Sequence, residues 1–140
     1  MDHMKRQVVL LHPGYFSLGL MSIGTYLESH GYEVTIVQQD APFLAYEIRR
    51  ALDQERCIAV GATAMTPNIA SAVGACGIVK RLFPKMPMIL GGNHVTALPE
   101  ETLRQSEFDI GVVGEGEETA LKVIRSLEHG SYPTKVPGTF

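Results

Sequence analysis

The chain has only two cysteines, and nowhere does it concentrate lysine and arginine into a block. Cys57 and Cys76 fall in an expected strand and an expected helix, so they read as buried thiols of a reducing compartment, not as a disulfide or a metal pair. The net charge of -3 arises from intermixed charges, which leaves no electrostatic footprint for nucleic acid. No apolar run approaches the roughly 18 residues that cross a bilayer. The segment from Met1 to Arg6 leads into a strand-like run without a signal-peptide core. A cytoplasmic protein with neither a nucleic-acid nor a membrane partner is expected. Three common phosphate sites of α/β proteins are also missing. Where a dinucleotide needs G-x-G-x-x-G after the first strand, the chain has His12-Pro13-Gly14-Tyr15-Phe16-Ser17. It has no Walker loop, and the third strand ends in Ala62-Thr63 with no acceptor aspartate, so phosphoryl chemistry has no site. Repeats and low-complexity stretches are absent as well.

What remains is 140 residues, 45% of them hydrophobic, which is enough for one core and one domain. Gln7-Val8-Val9-Leu10-Leu11 is continuously apolar after its first residue, as a strand covered on both faces requires. The helix that follows places Leu20, Ile23, Gly24 and Leu27 on one face and stops at Gly31. Tyr32 to Val37 reads as strand two. A second helix carries Leu44, Ile48 and Leu52 and leads into a third strand, Cys57 to Ala62. Thr66 and Pro67 suit the cap and first residue of helix three. That helix turns Ile69, Ala72, Val73, Cys76, Val79 and Phe83 inward, with Gly74 and Gly77 open to close approach, and ends at Pro84. Met86 to Leu90 is strand four, a short helix is expected around Glu100 to Gln105, and Phe108 to Val113 is strand five. Gly114 to Glu118 opens a last helix, with Ala120, Leu121, Ile124 and Leu127 inward and Gly130 as its stop. Strands alternating with helices at this spacing specify a doubly wound α/β domain with a five-stranded parallel sheet and helices on both faces, compatible with the flavodoxin-like order 2-1-3-4-5. The domain is expected to occupy residues 1–130. Residues 131–140 read as an exit segment.

The candidate ligand site is the set of loops at the carboxyl ends of the strands. After strand four, Leu90-Gly91-Gly92-Asn93-His94 contains a glycine pair that can lie flat against a large planar group. Ser17, Leu18 and Gly19 after strand one, and Thr63 and Thr66 after strand three, add hydroxyl and backbone groups. Such a lining suits a large, mostly neutral, amide-bearing ligand. Gly114-Glu115-Gly116-Glu117 has the glycines of a phosphate cradle, but its carboxylates occupy the positive end of the helix and repel an anion. It is either a solvated cap or an edge of the ligand site.

The segment GGNHVTALPEETL, followed by FDIGVVGEGEETALKVI, resembles the cobalamin-binding domain found at the N-terminus of many radical S-adenosylmethionine enzymes. The first unit PG…SLGLMSIGTYLESHGYEV and the threonine-bearing turn VGATAMTPN extend the likeness from about Val8 to Pro137. The resemblance implies that a corrin ring lies over the carboxyl edge of the sheet while its nucleotide tail descends between strand and helix. Thr63, Thr66, Gly91, Gly92 and Asn93 would line the tail or the lower ring face, with Ser17, Leu18, Gly19, His94, Gly114 and Glu115 completing the cofactor-binding set. The D-x-H-x-x-G loop that carries a cobalt-ligating histidine in the best-known cobalamin carriers is absent. A cobalt without a protein histidine is therefore expected, and His94 reads as hydrogen-bonding or solvent-facing. No C-x-x-x-C-x-x-C motif is present, so the resemblance places the iron-sulfur cluster and S-adenosylmethionine on a further domain or a partner chain. The expected function is thus a cobalamin-binding module serving methyl transfer or radical chemistry performed elsewhere. The rival is a flavodoxin-like regulatory or scaffold domain that has lost the cofactor. Independent acid-base catalysis by His12, His94 and Glu115 has no supporting spacing.

Overall fold

The computed structural model of the chain describes residues 5–13, 18–63, 69–91, 106–112 and 116–131. Its centre is β1 (Gln7–His12), paired in parallel with β2 (Glu33–Gln38) on one side and β3 (Cys57–Thr63) on the other. Beyond β3 come β4 (Met88–Gly91) and β5 (Ile110–Val112), giving the five-stranded order β2-β1-β3-β4-β5. The doubly wound α/β fold is the one the periodicity predicts, and the strand order is the flavodoxin-like one with which it is compatible. β1 and β3, whose runs are the most continuously apolar, are the strands buried along nearly their whole length.

Helices α1 (Leu18–Ser29) and α4 (Glu117–Glu128) cover one face, where Leu20, Leu27, Leu121 and Ile124 pack on Val8, Leu10 and Ile58. Helices α2 (Leu44–Ala51) and α3 (Ile69–Leu82) cover the other, bringing Ile48, Ala72, Cys76 and Val79 onto Val9, Leu11, Val60 and Leu90. Right-handed crossovers on both sides of β1 require this division. The chain reverses from α1 into β2 at Gly31, whose φ of +95° is one that a residue with a Cβ rarely adopts.

Several boundaries differ from the sequence reading, each for a local reason. Tyr32 does not begin β2, because its backbone N–H is bonded to the carbonyl of Leu27 at 3.2 Å and closes α1. β5 starts at Ile110, not Phe108. A carboxylate oxygen of Asp109 accepts from the N–H of Met88 at 2.8 Å and from Lys80 at 2.7 Å, which places a side chain where ladder pairing would otherwise continue. Leu52 is buried but lies just past α2, and Phe83 lies just past α3. Of the two α3 glycines, Gly74 is exposed with nothing near it. Gly77 is half-buried, and a Cβ there would stand 3.3 Å from a carboxylate oxygen of Glu107, an exposed residue before β5, so its close approach is to a loop side chain and not to the sheet. The expected cap at Thr66, the short helix around Glu100 to Gln105, and all of the exit segment after Ser131 lie outside the described residues.

Candidate functional site

The strand ends come into line at the carboxyl edge of the sheet. Thr63 pairs with Gly91, and Gly91 with Val112, so three adjacent strands end in one row about 10 Å wide at ordinary strand spacing. β1 pairs Leu11 with Ala62, which brings His12 level with Thr63 one residue further on. Side chains alternate between faces along a strand. His12 shares a face with Leu10, and Gly91 with Ile89, both of which belong to the layer under α1 and α4. A small, open edge on that face is what the row produces.

Gly91 is the centre of the row. A Cβ added there would lie 3.7 Å from the carbonyl oxygen of Val112 and 3.9 Å from its Cβ, which is ordinary contact, and the residue is not at positive φ. The position could therefore carry a side chain without strain, yet it has none. Gly116, at the start of α4, is different. Its missing side chain is filled from both sides, by Ile23 at 3.3 Å and Val112 at 3.4 Å, so this glycine of the GEGE turn serves to seat α4 on β5 and α1.

In the sequence His12 is weighed with His94 and Glu115 for acid-base work and is not expected on cobalt. In the structure it is half-buried at the end of the central strand, and its Nδ1 donates to the carbonyl of Pro13 at 2.6 Å. A carbonyl can only accept, so in the neutral ring Nδ1 carries the proton and Nε2 is the acceptor. Its position as the last residue of β1 is the sequence signal that marks it.

On the opposite face, Gln39 follows β2 and donates its backbone N–H to the carbonyl of His12 at 2.8 Å. Its side-chain Nε2 donates to Ser71 Oγ in the first turn of α3 at 3.0 Å. Neither the last residues of the strands nor the first turns of α1, α3 and α4 contain lysine or arginine. The edge is thus neutral to acidic, with Glu117 and Glu118 opening α4.

Of the residues expected at the site, Thr63 and Gly91 are brought together in the row. Thr63 is half-buried and already has a polar interaction of its own. Gly19 lies in the first turn of α1, exposed, with open space where a Cβ would be, and Leu18 begins that helix. Ser17, Thr66, Gly92, Asn93, His94, Gly114 and Glu115 lie outside the described residues. Among the described residues no three His, Cys, Asp or Glu side chains converge to hold a metal ion. No helix among them is long and apolar enough to cross a membrane. Both cysteines are free and buried, and burial pushes the thiol of Cys57 up to about 11 and that of Cys76 up to about 12.

Residues 10–124 match a family model described as B12 binding domain. Among curated proteins, the chain is 29% identical over 140 residues to an anaerobic magnesium-protoporphyrin IX monomethyl ester cyclase of Rubrivivax gelatinosus, covering 90% of this chain and 25% of that protein. A cyclase of the same name from Cereibacter sphaeroides is 24% identical, covering 90% of this chain and 23% of its own length. The chain spans about a quarter of the length of these relatives. Among solved structures, the radical S-adenosylmethionine methyltransferase TsrM from Kitasatospora setae, with cobalamin and a [4Fe-4S] cluster bound, superposes with a TM-score of 0.81. Its identity is 19%, over 97% of this chain and 29% of TsrM. The cobalamin-dependent S-adenosylmethionine radical enzyme OxsB, with aqua-cobalamin and S-adenosylmethionine bound, gives 0.75 at 14% identity, over 96% of this chain and 20% of OxsB.

Proposed function

This chain belongs to the B12 binding domain family, and from that premise we propose that it carries a corrinoid across the carboxyl edge of its sheet for chemistry performed by another domain or chain. The observation that carries the reading is the open position at Gly91, in register with Thr63 and Val112. A strand end that could hold a side chain and does not is suited to a planar ligand lying against the backbone.

The chemistry of the edge fits the cofactor. A corrinoid is a large plane fringed with neutral amides, and the described edge brings Thr63, His12 and Gln39 to the strand ends with no lysine or arginine among their last residues. Thr63, Gly91 and Gly19 would hold it from the described residues. The family resemblance adds Ser17, Leu18, Thr66, Gly92, Asn93, His94, Gly114 and Glu115. No histidine is assigned to cobalt. When bound, the corrinoid supplies methyl-transfer or radical reactivity at cobalt, while this chain orients it and shields one face.

The relatives extend well beyond this chain, and TsrM and OxsB are radical S-adenosylmethionine enzymes by description. These findings support a module, residues 1–130, that works with a cluster-bearing catalytic domain in cis or in trans, with residues 131–140 as the exit segment towards it. Incubation of the purified protein with hydroxocobalamin followed by desalting tests the reading. Near-stoichiometric corrinoid absorbance in the protein fraction is expected. A folded protein that retains none would refute cofactor binding and leave a scaffold domain.

A further inference from the structure

Among the described residues two glutamines are buried, one at each end of the sheet, and they differ in one respect. Gln7, at the amino end, is fully satisfied: its Nε2 donates to Thr35 Oγ1 at 2.9 Å and to the carbonyl of Ala51 at 2.8 Å, and its Oε1 accepts from the N–H of Asp53 at 2.8 Å. Gln39, at the carboxyl end, is 4% exposed, and its Oε1 has no hydrogen-bond partner among the described residues. A buried amide oxygen without a donor is rare, because its lost hydration is not replaced. Exchanging the amide oxygen and nitrogen does not remove the deficit. Ser71 would then donate to the oxygen and leave the NH2 group without an acceptor.

Because Nε2 bonds Ser71 of the 14-residue α3, the oxygen on the same amide carbon lies beside that helix too. A group that meets the deficit must donate to Gln39. A carboxylate or phosphate cannot donate, whereas a primary carboxamide donates through its NH2 and accepts through its carbonyl, and so serves either orientation of the Gln39 amide.

We propose that Gln39, held by Ser71 of α3, forms a receptor for one primary carboxamide on the rim of the corrinoid. This inference rests on the corrinoid reading above. Gln39 N–H is bonded to the carbonyl of His12, so the receptor sits across the edge from the row of Thr63 and Gly91, on the other face of the sheet. A ligand that straddles the edge is gripped from both sides, and the β2 end of the crevice fixes its rotation about the ring axis.

The test measures affinities of the parent, Gln39→Leu and Gln39→Met for hydroxocobalamin and for corrinoids in which a single peripheral amide has been hydrolysed to the carboxylic acid. Both substitutions remove the unpaired polar atom, so the thermal midpoints of the cofactor-free proteins should be unchanged or higher. Hydroxocobalamin should bind the variants about tenfold more weakly, the worth of one hydrogen bond. One monoacid isomer should bind the parent more weakly than hydroxocobalamin does, and that gap should close in the variants. A parent that binds every monoacid as tightly as hydroxocobalamin overturns the inference. So do variants that bind like the parent, as expected if a buried water occupies the spot, or variants that weaken equally for every isomer. A parent that binds no corrinoid overturns the proposed function itself, which is a separate outcome from a binding parent indifferent to Gln39.

Discussion

Substituting Gly91 with alanine should move stability and cofactor affinity in opposite directions. The new methyl group would meet Val112 at 3.7 and 3.9 Å, within ordinary contact, and the backbone is not at positive φ, so the cofactor-free domain accepts it without strain. Alanine also loses less backbone entropy on folding than glycine, about 0.5–1 kcal/mol. For a domain of this size that raises the thermal midpoint by about 2–4 °C. A corrinoid lying against the strand end meets the same methyl as overpacking, which costs about 1–3 kcal/mol, or about 5- to 150-fold in Kd. The assay pairs a thermal melt of the cofactor-free protein with an absorbance titration against hydroxocobalamin. Gly61→Ala is the control, since its Cβ would lie 3.0 Å from Leu10 Cδ2 inside the core, and it should lower the midpoint by overpacking alone. Equal hydroxocobalamin affinity in Gly91→Ala and the parent, or a fall in stability matching the fall in affinity, would refute the argument that this glycine is kept for a ligand.

Other consequences can be checked separately. Bound cobalamin reduced to Co(II) should show no superhyperfine splitting from a protein nitrogen in electron paramagnetic resonance; a splitting that disappears in His94→Ala or His12→Ala would place a histidine on cobalt. With S-adenosylmethionine, reductant, iron and sulfide supplied, the chain alone should form neither 5′-deoxyadenosine nor S-adenosylhomocysteine above background, and multiple turnovers would overturn the module reading. Tyr32 donates to Glu128 at 2.7 Å, and burial first, then Glu128, raises the phenol above its ordinary value. A raised value stabilises the fold below the unfolded phenol's titration, and that contribution is lost as pH climbs through the folded one. Tyr32→Phe should therefore cost about 1 kcal/mol at neutral pH and flatten the decline in urea stability above pH ~10. With Cys57 and Cys76 buried and their thiols pushed up to about 11 and 12, an aromatic disulfide reagent at pH ~8 should label neither until urea unfolds the chain; fast labelling of the native protein would show that one of these sites opens.

The apolar runs of β1 and β3 and the helical spacing of Leu20, Leu27, Ile48 and Val79 were enough to predict the five strands and the four described helices, in a pattern compatible with the observed sheet order. Burying these periodic stretches requires parallel strands covered on both faces, whatever the details of packing. The glycine pair and Thr63 also stood out, because a strand end rich in small residues is where such sheets bind ligands. The roles of individual glycines were not legible. Gly91 and Gly116 look alike along the chain, yet a Cβ at Gly91 would meet Val112 only at ordinary contact distance, while at Gly116 the space is filled more tightly by Ile23 and Val112. Whether a missing side chain makes room for a ligand or for a neighbouring helix depends on what the fold brings opposite it. Gln7 and Gln39 make the same point for polar groups. Both flank apolar strands in the sequence, but only the packing of α2 against β1 gives Gln7 the carbonyl of Ala51 and the N–H of Asp53, while α3 offers Gln39 a single hydroxyl. Hydrogen-bond partners 32 to 46 residues away in the chain are set by the docking of helices onto the sheet, which no local pattern encodes.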